Sequence, residues 1–431
     1  MLKLFVCSAL IACSFGTYAN DWQQEFFSPM SNELPASRAV AVDELGFVHL
    51  QAFNKQPWSN SYDFAHLYTF NAQGQIPWIW GLSQANRKSQ CGVYAKSGQR
   101  LDCFETSGLS GDETRLQMRS RHGSQIVWQT TLPSEVKLLD ASILNDDMAL
   151  LVGRLSSPSS DELGVFRVTN NGIVDVLSVV PACPQAGQVM TSSTFRMPQQ
   201  ENETIRHVKA CWNSFGTTDL ILEQFTPWTG QWITLSTRAI PHSTRLTHSA
   251  INPEGEAFAL VEHNSGFREL IHTHGFTSQW QSLPVPTLNA TVAFLVNDRA
   301  LVIVSRTSNK HAAGGADTVV RFDLQGPFWP NTQVFDALQD IVPQGHALSS
   351  EGELIVVGYP AFYRTRVQSV WQTNRNGKLT TIASLPFSMN EVTQGTTHVI
   401  GGPNNVAIIA RNIERDGVQI GVRVNQYGLP F

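Results

Sequence analysis

Residues 247–285 read THSAINPEGEAFALVEHNSGFRELIHTHGFTSQWQSLPV. Four short runs, THSAI, EAFALVEH, FRELIHT and FTSQWQSLPV, are apolar-rich, carry no helical spacing and are bounded by turn residues, which reads as strands. Between them lie groups such as NPEG and the glycine of HTHG. There a tight reversal needs positive φ or a side-chain bond to the backbone. The segment is therefore a unit of four antiparallel strands, a to d, joined by short turns.

The unit recurs. Residues 71–80 (NAQGQIPWIW), 120–129 (SRHGSQIVWQ), 323–332 (DLQGPFWPNT) and 374–383 (NRNGKLTTIA) repeat its c–d turn and outer strand. Glycines 74, 123, 172, 230, 275, 326, 377 and 428 are spaced by 49, 49, 58, 45, 51, 51 and 51 residues. Four antiparallel strands repeated eight times predict an all-β chain folded as an eight-bladed β-propeller. The eighth unit supplies strands a (THVIGG), b (NVAIIARN) and c (VQIGVRVN) and then stops. DWQQEFFSPM at 21–30 reads as a detached strand d. The mature N-terminal strand is therefore expected to complete the last blade and close the ring, covering edges that otherwise aggregate.

Residues 1–19 have one lysine, an apolar run and small residues before Ala19. This is the layout of a cleaved secretory signal, which leaves 20–431 as a single domain that is periplasmic or secreted. An alternative is an outer-membrane lipoprotein anchored at Cys13 of LIAC. The apolar run is too short to span a bilayer, and no later stretch inserts. Lys3 lies in the signal, so the remainder carries 29 basic residues against 35 acidic ones. That balance, without a basic run, excludes nucleic acid as a partner. A monomer is expected. The exported chain keeps Cys91, Cys103, Cys183 and Cys211, an even number that suggests two disulfides. Cys91 and Cys103 sit symmetrically on strands a and b of unit two. Cys183 and Cys211 share one end of unit four. The pairs Cys91–Cys103 and Cys183–Cys211 follow.

Trp22, Trp78, Trp128, Trp232, Trp280 and Trp329 occupy the same outer-strand position, which points to packing between blades. Function is expected on the face of the d–a and b–c connections, since b–c loops vary most in length. Those loops carry Trp58, Tyr62, Arg306, Lys310, His311, Tyr359, Phe362, Tyr363 and Arg364 as candidate ligand contacts. Near the starts of the inner strands stand Arg38, His248, His346 and His398. If they converge on the central funnel, the three imidazoles could hold a divalent metal or an anionic sugar. His272 and His274 fall on the opposite face, where solvation is expected. G-x-S-x-G, H-E-x-x-H and phosphate-loop patterns are missing, and no other cofactor is expected.

VDELGFVHL, NPEGEAFAL and SSEGELIVV resemble the D-x-x-G-x-hydrophobic turns of exported bacterial β-propeller proteins. The Trp-Asp ending of WD40 blades, the sialidase Asp-box and a regular kelch double glycine are absent. The favoured function is a non-catalytic binding or assembly module holding a protein or glycan of the bacterial envelope. The alternative is a secreted polysaccharide lyase acting on uronic-acid-containing glycans. There Arg38 would neutralise the uronate and a funnel histidine or Tyr359 would remove the adjacent proton. A metal on His248, His346 and His398 could replace the arginine.

Overall fold

The computed structural model describes residues 21–430 except 28–33, 43–45, 56–61, 72, 76–77, 84–86, 96–97, 109–110, 121–124, 145–146, 157–160, 186, 199–202, 214–215, 242–243, 274–278, 286–289, 307–316, 326–330, 339–340, 361–366, 387–390 and 416–417. For some further strand residues, Arg38, Tyr62, Cys91 and Arg306 among them, only the backbone is described. The signal segment, Cys13, Trp58, Lys310, His311, Phe362, Tyr363 and Arg364 lie outside the described residues.

Described strands run in sequence order. β1 (Trp22–Phe27) precedes β2 (Leu34–Val42), β3 (Val48–Lys55), β4 (Tyr62–Phe70) and β5 (Trp78–Ser83), the last four forming sheet one. Sheet two has β6 (Arg87–Tyr94), β7 (Arg100–Gly108), β8 (Gly111–Arg119) and β9 (Ile126–Thr131). Sheet three has β10 (Val136–Ile143), β11 (Ala149–Ser156), β12 (Asp161–Val168) and β13 (Val174–Pro181). Sheet four has β14 (Val189–Arg196), β15 (Ile205–Trp212), β16 (Thr218–Thr226) and β17 (Gln231–Ile240). Sheet five has β18 (Thr244–Ile251), β19 (Ala257–His263), β20 (Arg268–Thr273) and β21 (Trp280–Pro284). Sheet six has β22 (Ala290–Val296), β23 (Ala300–Arg306), β24 (Asp317–Asp323) and β25 (Asn331–Leu338). Sheet seven has β26 (Ile341–Leu348), β27 (Leu354–Pro360), β28 (Val367–Thr373) and β29 (Leu379–Pro386). β30 (Glu391–Gly402), β31 (Val406–Arg415) and β32 (Val418–Gly428) complete the series, and their sheet takes β1 as its fourth strand. No helix occurs among the described residues, so none is long and apolar enough to cross a membrane.

Pairing is antiparallel throughout. β1 lies beside β32 from Trp22↔Gln426 to Phe27↔Gly421, as the detached-strand reading requires. Asp21 Oδ1 accepts from the Gly428 amide at 2.9 Å and Gln23 Oε1 from Asn425 Nδ2 at 2.9 Å, which ties the two chain ends. Gly428 is therefore no turn glycine. It ends a strand opposite Val406, whereas Gly74, Gly172, Gly230 and Gly377 hold positive φ in turns as expected.

From sheet two onward, apolar clusters join each sheet to the next, and the second strands β11, β19, β23 and β27 are nearly continuous apolar runs. Phe258, Leu260 and Leu270 of sheet five pack with Leu301, Ile303 and Phe322 of sheet six. Leu354 and Val356 of sheet seven pack back on Val302 and Val304. Ile355 and Val357 pack forward on Ala407 and Ile409. Val48 and Leu50 of sheet one meet Ile408 and Ala410. Trp128 and Trp280 are part of such interfaces, and Trp232 lies against Phe225 with ring centroids 5.1 Å apart. The packing role expected of the outer-strand tryptophans holds for these three. The side chains of Trp22, Trp78 and Trp329 are outside the described residues.

Cys183 and Cys211 form a disulfide with Cα atoms 5.8 Å apart. Cys103 is disulfide-bonded, and its cross-strand register partner is Cys91.

One irregularity recurs and has no sequence signature. The first strand of sheets one to seven carries an extra residue against its partner, at Arg38, Gln90, Leu139, Thr191, Thr247, Val292 and Gln344. β30 is irregular between Gln394 and His398. Such a bulge bends the strand and reverses the alternation beyond it.

Candidate functional site

The recurrent bulge decides where the inner-strand histidines go. Thr247 is the extra residue in β18, and its hydroxyl donates to the Leu260 carbonyl at 2.9 Å. The residue after it, His248, then pairs with Leu260 and shares that residue's face toward sheet six. Its ring stacks on Phe294 of β22 at 5.8 Å. In sheet seven the bulge is Gln344, so His346 stands one position further along and pairs with Val356, which faces back to sheet six. His398 pairs with Ala410, on the face toward sheet one. The three imidazoles thus lie at three different sheet–sheet interfaces and are not brought together. Among the described residues no group of three His, Cys, Asp or Glu side chains is arranged for a metal ion. Arg38 is itself a bulge residue, with its side chain undescribed. Tyr359 pairs with Val342 at the far end of β27, three residues from Val356 and so on the opposite face from His346.

His272 corrects another expectation. It is 1% exposed and stacks on Phe258, its partner across β19 and β20, because c-strand positions are covered by the next sheet. His274 is outside the described residues.

His248 does open onto a cavity. A pocket of about 390 Å³ between sheets five and six is lined by Arg245, Leu246, Thr247, His248, Glu262, Arg268 and Thr291. These residues stand at the start of strand a, the end of strand b and the start of strand c, and Thr291 is at the start of the next strand a. The pocket therefore belongs to the face of the d–a and b–c connections, where function was expected. Its chemistry comes mainly from residues that strand reading passed over.

Arg268 is the central one, with its side chain 7% exposed. Its Nη1 donates to Thr291 Oγ1 at 3.0 Å, and Nη2 lies 3.5 Å from Glu262 Oε1. Nε has no hydrogen-bond partner among the described residues. The other Glu262 oxygen accepts from Arg245 Nη2 at 3.2 Å, at an exposed rim. Burial, reinforced by the Arg268 charge, holds the His248 imidazole below its ordinary value and hence neutral at neutral pH. The lining carries two guanidinium groups against one carboxylate. Phe267, next to Arg268 in the chain, is 46% exposed and lies against His263. On the same face, in sheet four, Val189 and Trp212 form an exposed cross-strand pair beside the Cys183–Cys211 bridge.

A second pocket, about 270 Å³, lies between sheets three and four on the other face. Leu144, Met148, Leu177, Pro227 and Trp228 line it, with Arg167. Arg167 is committed to Asp175 at 2.9 Å, so this cavity offers apolar surface with little free charge.

No protein-family model matches the chain, and no curated protein matches it. Among solved structures, the WD40 domain of SCAP from fission yeast aligns with a TM-score of 0.55 at 10% identity, covering 94% of this chain and 98% of that one. The β-propeller domain of the Trilobed protease from Pyrococcus furiosus gives 0.44 at 5% identity over 79% and 93%. The polysaccharide lyase Uly1 gives 0.44 at 9% identity over 91% and 90%. The first likeness shows a β-propeller fold and nothing about ligands. The other two are too weak to carry an argument.

Proposed function

We propose that this chain is an eight-bladed propeller whose ring is closed by β1. It is exported after cleavage at Ala19 and works without catalysis as a monomeric binding or assembly module of the bacterial envelope. The ring is supported by the β1–β32 pairing and by the packing of the sheet of β30–β32 on sheet one. The binding role rests on one observation. The d–a and b–c face bears a polar pocket walled by a buried, under-coordinated guanidinium, and exposed aromatics occupy the same face. Residues on a rigid scaffold's loop face are the usual seat of recognition. A protein or glycan is the expected partner.

The test is retention of the purified protein on immobilised acidic and neutral polysaccharides and envelope extracts. Soluble polysaccharide is followed in parallel for the ultraviolet absorbance of an unsaturated uronate. Retention without absorbance is expected. A rise in absorbance would replace this function with uronate elimination. No retention on any matrix would remove the binding role.

A further inference from the structure

We infer that the pocket between sheets five and six is a monoanion site that takes the carboxylate of a single sugar acid, with Arg268 as the recognising charge. This rests on the binding role proposed above and names its ligand class.

The first argument is charge. Arg245 and Arg268 face one carboxylate, Glu262, and His248 is neutral, so the lining has one positive charge in excess. A monoanion balances it. A phosphate dianion would overshoot and would meet Glu262 at close range.

The second argument is coordination. A guanidinium has five N–H donors and is costly to bury without partners. Among the described residues the Arg268 guanidinium makes one hydrogen bond, to Thr291, and a loose 3.5 Å contact with a carboxylate that Arg245 also holds. A ligand carboxylate is the planar acceptor that complements such a group.

The third argument is size and polarity. About 390 Å³ exceeds the need of a bare inorganic ion and admits a sugar-sized ring. Around the guanidinium, Thr291 Oγ1 accepts from Arg268 and keeps its own proton to donate, while Glu262 can accept from ring hydroxyls. These groups suit a polyhydroxylated acid better than an aliphatic carboxylate. His248 and Leu246 supply an apolar wall, the imidazole ring resting on Phe294.

Calorimetric titration of the full chain with glucuronate, galacturonate, glucose, galactose and inorganic phosphate decides the matter. The two uronates are expected to bind, and the neutral hexoses and phosphate to be silent. Arg268→Gln should weaken uronate binding by at least about tenfold. Because Arg268 is buried and its loss could disturb folding, Arg245→Glu is the companion variant. It lies at the exposed rim, reverses the excess charge, and should weaken binding by a similar factor without shifting Tm. Equal binding of neutral hexoses, preference for phosphate, or wild-type affinity in Arg245→Glu would overturn the assignment. Retention on polysaccharide with no uronate binding would sink this site and leave the binding role intact. Uronate binding with no retention on any matrix would do the reverse.

Discussion

Gly377 turns the chain between β28 and β29 at φ +76°, its amide bonded to the Asn374 carbonyl at 2.9 Å. A Cβ there would stand 2.6 Å from Phe335 Cγ of the preceding sheet. Positive φ and contact with a ring act together, so Gly377→Ala should lower stability by about 1–3 kcal/mol, read as a drop in Tm. A second residue-scale device is the buried group in sheet four. Glu223 Oε1 lies 2.8 Å from both His207 Nδ1 and Lys209 Nζ, all but closed to solvent. Burial depresses His207 below its ordinary value, outweighing Glu223; burial pushes the Glu223 carboxyl up, but His207 and Lys209 together outweigh it and leave that carboxyl lowered. The unfolded chain thus takes up the His207 proton more readily than the folded one. The stability it contributes is complete above the unfolded value of about 6.5 and falls away on acidification below it. Tm should decline between pH 7 and pH 5, and His207→Gln should flatten that decline. An unchanged slope in the variant would reject His207 as its source. Glu223→Gln leaves Lys209 without its countercharge and should cost about 3–5 kcal/mol in denaturant unfolding.

At the scale of elements, two ties hold parts that local propensity would not. The Cys183–Cys211 bridge closes a separation of 28 residues between the connection into sheet four and the end of β15. Replacing both cysteines by serine should reduce stability by about 2–4 kcal/mol, chiefly by freeing the unfolded chain. β1 covers the outer edge of β32. Deleting residues 21–27 would leave a row of β32 backbone groups without partners, an open template for another chain. Size-exclusion chromatography should then show association, and Tm should fall. A monomeric truncated form of unchanged Tm would mean that β1 adds nothing to the stability of its sheet.

At the scale of the molecule, function depends on which groups the packing of one sheet on the next leaves facing a gap. Where sheets five and six meet, Arg268, Glu262 and Arg245 come from three strands and Thr291 from the next sheet. Nothing local in RLTHS, VEH or FREL marks them as a set. His248, singled out in the sequence, is at the site, but as a neutral wall stacked on Phe294 and not as one corner of a metal triad. Tightening of the pocket by ligand should appear as a rise in Tm with uronate that neutral hexoses do not produce.

The sequence by itself determined the four-stranded unit, its spacing, the pairing of Cys183 with Cys211 and the partner of the detached first strand. All of these follow from short apolar runs, from turn residues and from chain direction, which are local properties. Only the tertiary structure decided the histidines and the pocket. A bulge adds one residue to the inner strand of sheets one to seven at positions as unlike as Arg38, Leu139, Thr191 and Val292, so no residue type announces it. Yet that single residue sets which face every later side chain takes, and it sent His248 and His346 to opposite ones. Contact between sheets, not the order of residues along any strand, placed a half-coordinated arginine beside a cavity.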